Sequence, residues 1–164
     1  MLRILIFAAI IATGAATAHA HGPAKHATSG ISVAPAAAEA ADVVDAFHAA
    51  LKRSDLAAAR GYLMDDALIF EGGAAERSAV EYATHHLPAD AKFAAVTEQA
   101  ITSRTGDGDG QTAWVLTEGK TTGSWREKPV NSVTTETRIL RKSAAGWRIQ
   151  HIHWSSGSAE LRKN

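Results

Sequence analysis

Gly146-Trp147-Arg148-Ile149-Gln150-His151-Ile152-His153-Trp154-Ser155-Ser156 reads as the last β-strand of the chain. Side chains alternate faces along a strand, so Trp147, Ile149, His151 and His153 share one face and Ile152 and Trp154 the other. Large apolar groups on both faces predict burial on both sides. Ser132 to Lys142 reads as the preceding long strand. A two-residue loop at Ala144-Ala145, or a four-residue loop from Ser143 to Gly146, gives the same hairpin register. In that register Leu140 opposes Ile149, Arg138 opposes His151 and Glu136 opposes His153. Directly opposed side chains lie on one face. The expectation is therefore a sheet face carrying Glu136, Arg138, His151 and His153, floored by Trp147 and Ile149. A loop longer or shorter by one residue would dissolve the grouping.

A carboxylate beside an imidazole favours the protonated or metal-binding form of the ring. His151, His153 and Glu136 are thus the candidate acid–base set. A second source of imidazoles lies upstream. Ser78-Ala79-Val80-Glu81 is a capping box that starts a helix running to Leu87, with Pro88 as its boundary. Tyr82 and His86 share a helix face, with His85 beside it. Adjacent helical residues point about 100° apart, so one of the two histidines is expected to turn inward. Glu71, at the end of a strand over Leu63–Phe70, stands next to the Gly72-Gly73 turn at the pocket rim. Glu71, His85, His86, His151 and His153 form a candidate site for a divalent ion such as zinc or copper. Tyr82, Arg138 and Trp147 are expected to line a ligand pocket.

The chain has 164 residues, one domain's worth, with equal numbers of acidic and basic side chains and no cysteine. A basic stripe for nucleic acid is missing, and so is a thiol nucleophile. Met1-Leu2-Arg3, an apolar run from Ile4 to Ala12 and Ala18-His19-Ala20 read as a secretory signal cleaved after Ala20. The product is expected to be periplasmic or secreted, without a membrane span once the signal is removed. Residues 21–38 are rich in Ala, Gly, Pro and Ser and read as a flexible leader. His21 and His26 fall in it, without a scaffold to hold copper geometry. Residues 157–164 read as a polar tail.

Between them the pattern is helical first. Val44, Phe47 and Leu51 make an apolar stripe over Glu39–Arg53. Ser54 can cap a short helix over Asp55–Arg60, stopped by Gly61. His48 reads as a solvated or partly buried residue of the first helix. From Phe93 onward the pattern is β, with strands over Ala95–Thr105, Gln111–Gly123, Ser132–Lys142 and Gly146–Ser156, and a looser connection over Ser124–Asn131. Asp107-Gly108-Asp109-Gly110 reads as a hairpin turn, because the sixth position of a calcium loop would fall on Thr112 instead of Gly. Neither a phosphate-binding loop nor a nucleophile elbow is present. Helices followed by antiparallel strands give an α+β class, a curled sheet closed by about three helices around a pocket.

Phe47-His48-Ala49-Ala50-Leu51, then Asp55, then Tyr62-Leu63-Met64-Asp65-Asp66-Ala67, and late in the chain Thr135-Glu136-Thr137-Arg138-Ile139-Leu140-Arg141 before the closing strand, carry a resemblance. Over residues 39–156 the chain resembles the nuclear transport factor 2-like superfamily, in its SnoaL-like bacterial branch. The resemblance implies a cystatin-like α+β cone with a cavity, commonly in a homodimer. It implies functions from ketosteroid isomerase, polyketide cyclase and dehydratase to non-enzymatic association domains, and a fold does not choose among these. Three expectations follow: a pocket protein for a small ligand or metal ion, an acid–base enzyme, or a dimeric interaction module using Ile139, Ile152 and Trp154 on the outer sheet face.

Overall fold

Seven strands and four helices succeed one another along residues 30–162, the part of the chain that the computed structural model describes. The signal-like segment, its cleavage position, His21 and His26 lie outside the described residues. In order the elements are β1 (Ile31–Val33), α1 (Ala38–Lys52), α2 (Leu56–Gly61), β2 (Leu63–Glu71), β3 (Ala74–Glu76), α3 (Ala79–His85), α4 (Leu87–Val96), β4 (Thr97–Gly108), β5 (Thr112–Trp125), β6 (Lys128–Ser143) and β7 (Gly146–Ser158). One curled sheet has the strand order β1-β4-β5-β6-β7-β2-β3. Its ladders are antiparallel except for β1 on β4 and β2 on β7. The α+β class and helix-closed sheet are as expected from sequence. No described helix is long and apolar enough to cross a membrane.

Helix α1 forms over its apolar stripe. Val44, Phe47 and Leu51 are buried against the sheet, together with Ala40, Ala41 and Ala50. Asp55, not Ser54, caps α2 by accepting the Ala58 amide, and Ser54 takes a left-handed conformation at φ 55°. The capping box at Ser78 is present: its hydroxyl accepts the Glu81 amide, and the Glu81 carboxylate accepts the Arg77 amide. Pro88 does not end the helical region. It sits in the first turn of α4, where its missing N–H costs nothing and its fixed φ suits a helix. The β pattern therefore begins at Thr97 and not Ala95, and the helices number four.

Part of the expected leader is structured, because Ile31–Val33 adds a parallel strand to β4 and Pro35–Ala37 forms a 3₁₀ turn. The expected loose connection at Ser124–Asn131 is a tight hairpin. Trp125 pairs with Lys128, and Arg126 and Glu127 both adopt positive φ. The chain end forms a 3₁₀ turn at Ala159–Arg162.

The decisive departure lies in the β6–β7 hairpin. Its loop gives the expected start, with Ser143 opposite Gly146 and Leu140 opposite Ile149. The register then shifts by one, so that Ile139 opposes His151, Arg138 opposes Ile152, Thr137 opposes His153 and Glu136 opposes Trp154. Gln150 is the extra residue of a β-bulge. Its side-chain amide donates to the Asp66 carbonyl and carboxylate of β2. The bulge changes which face the second half of β7 presents. Ile152 and Trp154 point inward and His151 and His153 outward, the reverse of the expectation.

Gly123 is fixed by a close approach where β4 and β5 begin to pair. It adopts φ +145°, and a Cβ there would lie 2.7 Å from the Val96 carbonyl oxygen and 2.9 Å from Thr97 Cα. Gly123→Ala is expected to lower stability by about 1–3 kcal/mol in urea denaturation. Gly61→Ala, with open space around the position, should leave it unchanged or slightly higher.

Candidate functional site

The inner sheet face is built in cross-strand rows. Ala113, Leu140 and Ile149 make an apolar row near the closed end, and the next contains Val115, Arg138, Ile152 and Ile69. A third row runs Arg104, Thr117, Glu136, Trp154, Glu71 across five strands. Ile101, Gly119, Thr134 and Ser156 follow, then Gln99, Thr121 and Ser132. The face thus grades from apolar to polar toward the mouth. Helices α1 and α4 cover it and leave a cavity of about 960 Å³. Asp45, His48 and Lys52 of α1 line it at i, i+3 and i+7, and Asp90 and Phe93 of α4 line it from above. Trp125 and Arg126 reach it from the hairpin tip.

At the back of the cavity lies a buried ion pair. The Arg138 guanidinium is fully buried and stacks between two rings, 4.7 Å from the Phe47 centroid and 4.6 Å from the Trp154 centroid. It donates from Nη2 to Glu136 Oε2 at 2.8 Å. The same oxygen accepts the Trp154 indole N–H at 2.6 Å and lies 2.9 Å from His48 Nε2. A carboxylate can only accept, so Nε2 carries the proton and His48 Nδ1 is left as its second site. Burial by itself would push the Glu136 carboxyl up. The Arg138 charge and His48 overturn that and hold it well below the usual carboxylate range. Among the described residues Glu136 Oε1 and Arg138 Nε and Nη1 have no hydrogen-bond partner, so the two aromatic faces are the chief compensation for the guanidinium edge.

A second group of acids lies beyond Trp154, where β2 and α4 line the cavity. Tyr82, fully buried, donates its hydroxyl to Asp90 Oδ2 at 2.7 Å. Burial and the Asp90 charge raise the phenol's pKa, so it stays a donor. Asp90 is itself pushed up by burial, against the stabilising Tyr82 hydrogen bond. Glu71 stands exposed at the rim. The walls around it nevertheless strip enough water to raise its carboxyl, and the Asp90 charge adds to the shift. Glu76, almost fully buried, contacts His86 Nδ1, and that contact raises the His86 pKa.

Several expected site residues are therefore separated. His151 and His153 lie on the outer face beside Phe70, with ring centroids 5.0 and 6.3 Å from it, and the bulge at Gln150 keeps them from Glu136. His151 Nδ1 contacts the Leu68 carbonyl. Of the helix pair, His86 turns to Glu76 and His85 is exposed. Glu71, His85, His86, His151 and His153 do not converge, and among the described residues no three His, Asp or Glu side chains form a group able to hold a metal ion. Tyr82 and Arg138 stand behind the cavity wall, holding Asp90 and Glu136. Trp147 sits at the far end with its indole donating to Glu39. The sequence pattern does not single out Asp90 or Arg104, and it presents His48 only as a solvated or partly buried helix residue; His48 is partly buried, against Glu136. His48 carried a signal, since it follows the buried Val44 by four residues.

A family model for the SnoaL-like domain matches residues 40–158. The chain belongs to the SnoaL-like family. Among solved structures, this SnoaL-like chain is similar to an inferred ketosteroid isomerase from Shewanella frigidimarina, at 34% identity and TM-score 0.71, covering 77% of this chain and 100% of that one. An inferred dehydratase of the nuclear transport factor 2-like family from Streptomyces avermitilis matches at 17% identity and TM-score 0.61, covering 74% and 95%. The CaMKII hub of S. rosetta matches at 20% identity and TM-score 0.59, covering 73% and 95%. The last two likenesses concern the fold alone. No curated protein matches the chain.

Because the Glu136 carboxyl lies below its unfolded value, its contribution to stability is complete above the ordinary glutamate range. It is lost as pH falls through the lowered folded value. Arg138→Met leaves that charge buried without its partner. A stability loss of about 3–5 kcal/mol is expected in urea denaturation at neutral pH. The gap to the unsubstituted chain should narrow on acidification, when Glu136 is protonated in both.

Proposed function

We propose that this SnoaL-like protein is an acid–base enzyme of the isomerase or dehydratase type, acting on a small organic substrate held in the cavity. One observation carries the reading: the same cavity holds carboxyl groups in opposed environments. Glu136 is pinned in its ionised form by Arg138, whereas Asp90 and Glu71 are pushed toward holding a proton. Environments that push titratable groups apart separate a fixed charge from groups that exchange protons. Tyr82 fixes one oxygen of Asp90, and Oδ1 has no partner among the described residues. Asp90 or Glu71 would take a proton from carbon beside an electron-withdrawing group and return it elsewhere on the substrate. The Glu136–His48 pair would orient an imidazole into the same cavity. The name borne by the Shewanella relative supports the same class.

The test is exchange of substrate C–H protons in D₂O, followed by proton NMR over a panel of enolisable carbonyl compounds. Asp90→Asn should slow exchange by about 10²–10⁴-fold with an unchanged Tm, since the amide oxygen still accepts from Tyr82. Undiminished exchange in an Asp90→Asn, Glu71→Gln double variant would overturn the assignment. Binding without exchange would leave the plainer reading of a ligand-binding pocket protein.

A second reading concerns assembly. On the outer face Leu68, Phe70, Ile139, Trp114 and Leu116 are each 37–41% exposed and lie in adjacent cross-strand pairs with His151 and His153. Such a patch supports a homodimer through the sheet, and a structural relative is a hub domain. Ile152 and Trp154 do not contribute to it, because they face inward. Trp114→Glu is expected to convert the dimer to a monomer in light scattering. A monomeric unsubstituted chain would contradict the dimer.

A further inference from the structure

We propose that Arg104 anchors a carboxylate of the substrate, so that the cavity is specific for organic acids with an apolar body. The proposal rests on the acid–base reading of the same cavity and names its substrate class. Arg104 is only 5% exposed and lines the cavity. Its guanidinium is held from two sides: Nε donates to Thr117 Oγ1 at 3.2 Å and Nη1 to Asp45 at 2.7 Å. Among the described residues Nη2 has no partner, and it is not one of the fully enclosed unpaired atoms. A buried donor fixed by two bonds, on a residue that lines the cavity and with its third nitrogen unpartnered among the described residues, is pre-organised to meet an acceptor oxygen.

The charge layout argues for an anion over a neutral carbonyl. The Arg104 side of the cavity also carries Lys52 and Arg126, against Asp45 and Glu98. Asp45 is 58% exposed, so its neutralisation of Arg104 is weakened by solvent. The facing side carries Glu71 and Asp90. The lining cations thus gather at the Arg104 end, and Glu136, mid-row, has its charge met by Arg138, so an anion is favoured at Arg104 over the rest of the cavity.

The sheet also acts as a ruler. Arg104 and Glu71 are the two ends of one cross-strand row, four strand spacings apart, roughly 19 Å along the sheet. Curl and the inward reach of both side chains shorten this gap. The lining also holds Trp154 between these ends, Phe93 of the covering helix α4, and Trp125 of the hairpin tip packed edge-on against Phe93. These are faces for an apolar or aromatic body. The carboxylate would rest at Arg104 while the carbon to be deprotonated lies under Asp90 and Glu71.

The experiment reads binding and needs no turnover. A panel of aryl and alicyclic carboxylic acids, each paired with its primary amide, is titrated into the full-length protein at neutral pH and followed by tryptophan fluorescence. At least one acid is expected to bind about tenfold or more tightly than its amide. That preference should vanish in Arg104→Gln and persist, weakened, in Arg104→Lys. Equal binding of acids and amides throughout the panel, or binding of neither, overturns the proposal without using any variant. Retention of the preference in a folded Arg104→Gln overturns it equally. Loss of proton exchange with the acid preference intact would instead count against the catalytic reading alone.

Discussion

The buried charge on Glu136 is the constraint around which the cavity is arranged. A carboxylate taken out of water must be met by donors and counter-charge or it takes up a proton. Here Arg138, Trp154 and His48 all turn to one of its oxygens. Each comes from a different part of the packing. Arg138 is two residues away on the same strand, Trp154 opposes Glu136 on β7, and His48 descends from α1. Satisfying one charge thus ties the helix to the two central strands. The same requirement explains the stacking of Arg138 on Phe47 and Trp154, which covers a guanidinium edge that has too few acceptors.

That arrangement depends on the bulge at Gln150. Without it His153 would oppose Glu136, Trp154 would face outward, and the carboxylate would lose its indole donor. The extra residue lets Trp147, Ile149, Ile152 and Trp154 all face inward. The sequence carries a trace of this: those four large apolar residues change parity between 149 and 152, which a regular strand buried on one face would not do. Reading β7 as regular placed both imidazoles inside, and the candidate set of His151, His153 and Glu136 followed from that single assumption. Gln150 announces nothing by its residue type. Its role appears only when Asp66 of β2 is brought beside it.

Other parts were legible for local reasons. The stripe of Val44, Phe47 and Leu51, the capping box at Ser78 and the β6–β7 loop are short-range patterns, and the structure contains them. A proline that reads as a helix stop serves equally as a start when it falls in a first turn, so the sequence pattern around Pro88 does not reveal α4. Asp90 therefore went unnoticed, although it lies three residues after the position that a Pro-initiated helix begins on. Glu136 lines the cavity beside Arg138, as the hairpin pattern suggests, but His48 and Trp154 take the places expected for His151 and His153. The pairing of Arg104 with Asp45, 59 residues apart, and of Tyr82 with Asp90 depends on tertiary approach that no spacing rule supplies.

The cavity lining thus combines one carboxylate, Glu136, where protonation is suppressed with two carboxyl groups, Asp90 and Glu71, where it is promoted, around a space of about 960 Å³. Carboxyl ¹³C chemical shifts followed by NMR through an acid titration test this separation directly. The account predicts that Glu136 remains ionised below the pH at which a free glutamate protonates, while Asp90 and Glu71 titrate above the values of free aspartate and glutamate. A common midpoint for all three in the ordinary carboxylate range would contradict it.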